Sequence, residues 1–95
     1  MNDKLEYYRI QIDKLDDQLL GVLAKRINIV RKIGKFKKAH EIKPFDEKRW
    51  QEVLESKLSK AHILNLSKSF IKKLYDFIHA YSLEVERESR KNEKS

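Results

Sequence analysis

The sequence contains no cysteine, one proline and two glycines among its 95 residues. Without cysteine the chain cannot form disulfides or thiolate metal centres, and this composition fits a reducing compartment, so we expect a cytoplasmic protein. The shortage of proline and glycine indicates few turns and long helices. No apolar run approaches the ~20 residues of a membrane span, and the charged, amphipathic beginning does not have the pattern of a signal peptide.

Charge is the prominent feature of the composition. Lys and Arg outnumber Asp and Glu by 22 to 15, which gives a formal net charge of +7. Such an excess suits nucleic acid, a membrane surface or a small polyanionic ligand, and composition does not choose among them. The three histidines lack partners at metal-ligand spacing, and no glycine-rich phosphate loop or nucleophile motif occurs. We therefore expect neither a metal nor a cofactor.

The first predicted element is a long helix from about Asp3 to Ala39, in which apolar residues recur at helical spacing. About 37 residues at ~1.5 Å each give a rod of roughly 55 Å. A compact domain of this size has a radius of gyration of about 12–13 Å, so something beyond its own chain must cover the apolar stripe of the rod. We therefore predict that the chain forms a dimer. The stripe consists of Leu5, Tyr8, Ile12, Leu15, Leu19, Val22, Leu23, Ile29, Val30, Ile33 and Phe36.

Two shorter helices are predicted after this rod. Residues 40–45 form a loop that contains the only proline, Pro44. Asp46 is a good N-cap for a second helix that reaches about His62, because its side chain can accept from a free backbone N–H of the first turn. Ser67 can cap a third helix in the same way.

The predicted fold class is all-α, with three helices per chain and a long first helix. From Arg87 onward the apolar pattern gives way to charged residues, which we expect to fray. The chain is short enough for one domain only, which we assign to residues 1–90, followed by a charged C-terminal tail at residues 91–95.

Arg26 fits the first helix least well, since it lies where the stripe predicts an apolar residue and buried stripes rarely carry charge. Lys37 follows about three turns later on the same face, so the two cations can converge on one small dianion. Alternatively, Arg26 reaches solvent or pairs with a carboxylate from another helix. Arg9 lies ~25 Å before Arg26 along the axis and can approach it only from an antiparallel second chain. By itself, Arg9 also fits a solvated surface residue.

The other candidate residues also have purely structural explanations. Arg49 stands in the first turn of the second helix, where a cation opposes the helix dipole; an anionic ligand would explain it, and so would exposure. Asp46 is sufficiently explained as a cap, and Trp50 as a core residue. Ser82 and Glu86 present a hydroxyl and a carboxyl along one strip of the third helix, which also fits an edge that faces water.

Taken together, short motifs from about Leu5 to Glu86, nearly the whole chain, resemble the all-helical chorismate mutase family in order and spacing. Each motif is weak alone, and their combination carries the specificity. The resemblance implies an intertwined homodimeric helical bundle with two active sites. This dimer would convert chorismate to prephenate, without a cofactor, in the shikimate pathway of aromatic amino acid biosynthesis. The motifs are Arg9 with Ile12-Asp13-x-x-Asp16-x-x-Leu19-Leu20, Leu23-Ala24-Lys25-Arg26, Ile33-Gly34-Lys35-x-Lys37, Asp46-x-x-Arg49 and Tyr81-Ser82-x-x-x-Glu86.

The resemblance also implies a role for each site residue. Arg26 and Lys37 would hold the carboxylate and ether-oxygen region of the substrate, and Glu86 would donate a hydrogen bond to the breaking ether oxygen. Arg9 would come from the partner chain to bind the other carboxylate, while Arg49 would assist from the second helix. The remaining substrate contacts would come from Asp46, Trp50 and Ser82.

Two positions depart from the family pattern. Trp50 stands where bacterial members usually have a glutamate that binds the ring hydroxyl, and Glu86 stands where glutamine is common. Glu86 can donate a hydrogen bond only when it is protonated. Related isochorismate-pyruvate lyases also lack the glutamate after the arginine, so this lyase activity is the alternative function.

A third interpretation is a non-enzymatic, basic helical module that binds nucleic acid or another protein, which the net charge supports. Against it, Arg26 lies within an apolar stripe, whereas residues that bind phosphates should lie on an exposed face. The sequence also has no recognisable DNA- or RNA-binding motif. We therefore expect a small dicarboxylate, chorismate, as the ligand, and neither nucleic acid nor membrane as a partner.

Overall fold

The computed structural model describes residues 2–91, with the side chains of residues 3–90. It consists of three helices: α1 at Asn2–Ala39, α2 at Glu47–Ile63 and α3 at Lys68–Lys91. No strand occurs within this part of the chain. The all-α class and the long first helix are therefore confirmed.

Helix α1 extends far beyond the other two helices. Every residue from 3 to 22 is exposed, although this stretch contains much of the apolar stripe. The principal extents are 59 × 31 × 15 Å and the radius of gyration is 17.3 Å, well above the value of about 12–13 Å for a compact domain of this length. The protomer therefore leaves a long apolar face of α1 uncovered. Its large exposed members are Leu5, Tyr7, Tyr8, Ile10, Ile12, Leu15, Leu19, Leu20, Val22, Ile29, Ile33 and Phe36.

Local hydrogen bonds define the start of the two shorter helices. The Asp46 carboxylate accepts from the backbone N–H of Arg49 at 3.0 Å, as predicted for the N-cap of α2. At the start of α3, the Ser67 hydroxyl accepts from the backbone N–H of Phe70 at 3.1 Å. Each cap satisfies a backbone N–H that has no partner inside the helix.

The ends of α1 and α2 are closed without glycine. Glu41 and Asn65 adopt positive φ angles of 56° and 59° just after the two helices. The following N–H groups turn back to helix carbonyls, from Ile42 to Lys37 at 2.7 Å and from Leu66 to Ala61 at 2.8 Å. This is the Schellman arrangement, in which a left-handed residue lets the chain satisfy the last carbonyls.

Helix α3 continues further than the sequence pattern indicated. The prediction that the chain frays from Arg87 is wrong for the described residues, because α3 continues to Lys91. Ser89 is buried. Lys38 Nζ donates to the Arg90 carbonyl at 2.9 Å, and the Arg90 guanidinium donates to the Ile42 carbonyl at 2.8 Å. A small buried serine and hydrogen bonds to carbonyls stabilise the last turn. Because these contacts do not need apolar side chains, the turn is helical without apolar periodicity in its sequence. Residues 92–95 of the predicted tail lie outside the described residues.

Helix α3 forms the centre of the protomer, because it packs against both α1 and α2. Gly34 allows a close approach of α1 to α3: a Cβ at this position would lie 2.8 Å from the Glu86 carbonyl oxygen. The buried apolar residues are few, namely Val30, Ala61, Ile71 and Val85, and no large side chain among residues 3–90 is completely buried. The close contact at Gly34 sets Glu86 directly against the second half of α1.

Candidate active site

A cleft of about 180 Å³ lies where α1, the beginning of α2 and α3 meet. Apolar walls come from Val30, Ile33, Val53 and Leu83. A larger cleft of about 410 Å³ on another face of the α1–α3 pair contains none of the predicted residues. Seven of the residues predicted from the sequence line the smaller cleft: Arg26, Lys37, Asp46, Arg49, Trp50, Ser82 and Glu86. Residues far apart in sequence are thus brought together in one small space.

Arg26 reaches into this cleft across the α1–α3 interface. Its Nη1 donates to the Ser82 hydroxyl at 2.6 Å, and Ser82 is buried on α3. This arrangement differs from both alternatives for Arg26. The guanidinium is not turned to bulk water, and its partner is a hydroxyl rather than a carboxylate. Only one guanidinium nitrogen makes this hydrogen bond, so other N–H groups remain for a ligand.

Lys37 and Glu86 form the second polar pair of the cleft. Lys37 Nζ lies 3.0 Å from Glu86 Oε1 and donates to the Pro44 carbonyl at 2.6 Å. Both side chains are largely buried, with 17% and 10% of their surfaces exposed. Glu86 Oε1 nevertheless has no partner with hydrogen-bond geometry among the described residues, so its contact with Lys37 is a Coulomb attraction rather than a directed bond. A buried polar atom in this state needs a partner, which a bound ligand can supply.

The beginning of α2 supplies another edge of the cleft. Asp46 uses one carboxylate oxygen to cap the helix, which fixes the first turn and with it the position of Arg49. Arg49 lines the cleft, and the positive end of the α2 dipole lies at the same turn, so both favour an anion here. Trp50, one residue further on, lies in the wall of the cleft.

His79 is a cleft residue that the sequence reasoning missed. Its ring stacks on Trp50, with centroids 4.1 Å apart and 15° between the planes. Burial lowers the pKa of His79, and Arg26 acts in the same direction, while Glu86 and Asp76 act against them. Its spacing before Ser82 and Glu86, three and seven residues, places all three on one face of α3 and could have identified it.

Arg9 lies apart from the cleft. It is exposed on the first half of α1 and does not line the cleft. The 17 residues between Arg9 and Arg26 correspond to about 25 Å along a helix. Within one protomer, the structure therefore does not bring Arg9 to the other predicted residues.

The cleft suits a small anionic molecule. Three cations, Arg26, Lys37 and Arg49, face two carboxylates, of which Asp46 also serves as a cap. The partly buried surroundings strengthen charge interactions relative to water. Within residues 2–91 no group of three or more His, Cys, Asp or Glu side chains is arranged to hold a metal ion. In the same range, none of the helices is long and apolar enough to cross a membrane.

Comparison with known proteins agrees with this geometry. No curated protein sequence matches the chain. The family profile described as chorismate mutase type II matches residues 8–87, which include every predicted site residue. The match covers most of the chain, from the first half of α1 to the residue after Glu86, and the chain therefore belongs to the chorismate mutase type II family.

Proposed function

We propose that the protein is a chorismate mutase, which converts chorismate to prephenate. In this unimolecular rearrangement the ether C–O bond breaks while a C–C bond forms within the same molecule, so atoms and electrons balance without a nucleophile or a co-reactant. The observation that carries the proposal is the cleft that Arg26, Lys37 and Arg49 line together with the incompletely paired carboxyl of Glu86. Such a site can bind a dianion and donate to an oxygen within it.

The catalytic contribution is conformational and electrostatic. Arg26 and Arg49 hold carboxylates, because a guanidinium is always charged and binds a carboxylate through two parallel hydrogen bonds. This grip keeps the substrate in the compact shape in which the two reacting carbons are close. Lys37 donates to the ether oxygen, on which negative charge grows in the transition state, and Glu86 does so in its acid form.

The complete site needs a second copy of the chain. The first half of α1 exposes a long apolar face, and in a monomer this face would remain in water. If two α1 helices pair antiparallel, each covers the other's stripe, and Arg9 of one protomer approaches Arg26 of its partner. We therefore assign the protein as an intertwined homodimer with two shared sites.

A direct assay with chorismate and detection of prephenate tests the activity. Mixing two inactive variants tests the shared site. A dimer of Arg9→Ala with Arg26→Ala contains one site with both arginines intact, so a random equimolar mixture should recover about a quarter of the wild-type activity. As the control, Arg26→Ala mixed with Lys37→Ala should recover nothing, because every site then lacks one of the two cations.

The second candidate, an isochorismate-pyruvate lyase, rests on Trp50. The indole on His79 occupies the position where the mutase pattern has a carboxylate, and the lyases lack that carboxylate as well. The same cationic cleft would bind isochorismate, from which the reaction yields salicylate and pyruvate. Incubation with isochorismate and detection of salicylate decides between the lyase and the mutase. We expect the turnover of chorismate to exceed the turnover of isochorismate.

A further inference from the structure

His79 lies in the cleft, and none of the roles described above uses it. Its ring is held by two aromatic neighbours, Trp50 stacked at 4.1 Å and Phe45 tilted at 5.6 Å between centroids. The stacked Trp50 ring covers a face of the His79 ring rather than its edge, which carries the two nitrogens, and His79 lines the cleft. Helical geometry places His79 about 10 Å along α3 from Glu86, a distance comparable to the length of a small ring compound.

The nitrogens of His79 are available to a ligand. Among residues 3–90, no side chain or backbone group forms a hydrogen bond with either of them. Burial, assisted by Arg26, lowers the pKa of His79 against the opposing effects of Glu86 and Asp76. The ring is therefore neutral near pH 7 and offers one donor and one acceptor.

The substrate contains one group that still lacks a partner in the site. Chorismate carries two carboxylates, an ether oxygen and a ring hydroxyl; the arginines account for the carboxylates, and Lys37 with Glu86 for the ether oxygen. A hydroxyl both donates and accepts hydrogen bonds, so it is matched best by a neutral group that does the same. The hydroxyl of Ser82 is already engaged by Arg26, the indole of Trp50 can only donate, and the carboxylate of Asp46, which caps α2, can only accept.

We propose that His79 is a substrate-binding residue that forms a hydrogen bond with the ring hydroxyl of chorismate, and that Trp50 is the platform that fixes its ring. This inference rests on the proposed mutase function. In this proposal, His79 of α3 recognises the neutral hydroxyl of the substrate within a cleft whose other polar residues are mostly charged.

The test combines a change in the residue with a change in the substrate. His79→Phe keeps an aromatic ring on Trp50 and removes both nitrogens, while His79→Gln keeps a donor and an acceptor. With chorismate, His79→Phe should lower kcat/KM about tenfold, the cost of leaving one hydrogen bond unmade. With an analogue that lacks the ring hydroxyl, His79→Phe and wild type should have the same kcat/KM. His79→Gln should recover part of the loss with chorismate.

Each outcome separates the inference from the function on which it rests. A wild-type protein that does not convert chorismate overturns the proposed function itself. If the wild type is active, either unchanged kcat/KM in His79→Phe or an equal loss with both substrates overturns the inference, because a purely packing role predicts those results. If His79→Phe does not fold, the ring ¹⁵N shifts of His79 in the wild type decide: they should change on saturation with prephenate, which retains the hydroxyl, and constant shifts overturn the inference.

Discussion

Gly34 provides a sharp test of how closely α1 and α3 pack beside the site. A Cβ at this position would lie 2.8 Å from the carbonyl oxygen and 3.0 Å from the Cα of Glu86, and 3.2 Å from the Cβ of Ser89. Two of these atoms are backbone, so a rotamer change cannot relieve the contact. Gly21, also within α1, has nothing within 4 Å of the corresponding position and is the matched control.

The expected magnitude follows from a difference between two variants. Replacing a helical glycine with alanine favours the helix by about 1 kcal/mol, and this gain is common to Gly21→Ala and Gly34→Ala. The difference between the variants therefore reports the steric cost, which is about 1–3 kcal/mol for an overpacked contact. For a domain of this size that corresponds to a melting temperature about 10 °C lower in Gly34→Ala than in Gly21→Ala.

Turnover should respond as well. Ordinary contact begins near 3.4 Å, so the Glu86 backbone must move about 0.6 Å away from α1. A shift of that size next to the Lys37–Glu86 pair should reduce kcat about tenfold. Thermal melts at one fixed protein concentration, with kinetics on the same samples, provide the measurement. Equal melting temperatures for the two variants would refute the close approach of the helices at Gly34.

Three other predictions concern single residues. Arg26→Ala should lower kcat/KM at least about 100-fold with helix content by circular dichroism unchanged, because it removes a charged donor from the cleft. Glu86→Gln should retain at least the wild-type kcat, because the amide donates a hydrogen bond to the ether oxygen without first having to bind a proton. Because burial lowers the pKa of His79, the unfolded chain binds a proton more readily than the folded one. Stability should therefore be lost as pH falls from about 6.5 through the folded pKa, and His79→Phe should reduce this loss in urea titrations.

Three results would contradict these predictions. Unchanged turnover in Arg26→Ala would remove this residue from the site. A Glu86→Gln variant without turnover would exclude a hydrogen bond from this position to the ether oxygen. A wild-type protein and a His79→Phe variant with the same dependence of stability on pH between 5 and 7 would show that His79 titrates alike in both states.

Much of the fold could be predicted because its signals are local. The apolar repeat of α1, the caps at Asp46 and Ser67, and the loop around Pro44 each depend on a few neighbouring residues. The length of α1 alone also indicated an uncovered apolar face, since no compact chain of this size can enclose such a rod. The last turn of α3 was predicted wrongly, because a buried Ser89 and bonds to carbonyls stabilise it without apolar periodicity.

The site could be predicted only in part. Helical spacing placed Arg26 and Lys37 on one face. It could not identify the hydrogen-bond partner of the Arg26 guanidinium, which the structure shows to be Ser82. His79 was judged only for metal-ligand spacing, so its place in the cleft was missed, although it shares a helical face with Ser82. Whether Arg9 joins the site depends on a second chain and stays a prediction.

The sequence by itself determined the three helices, their caps and the face on which each charged residue lies, because these properties follow from helical periodicity and from hydrogen bonds between near neighbours. Only the tertiary structure decided which faces meet. Gly34 brings α1 against Glu86, whose carboxyl lies 3.0 Å from Lys37, and the packing of α2 on α3 places Trp50 on the His79 ring. Contacts between helices depend on the shapes of the packed side chains and on the distance between the helix backbones. The pattern of polar and apolar residues along the sequence specifies neither of these.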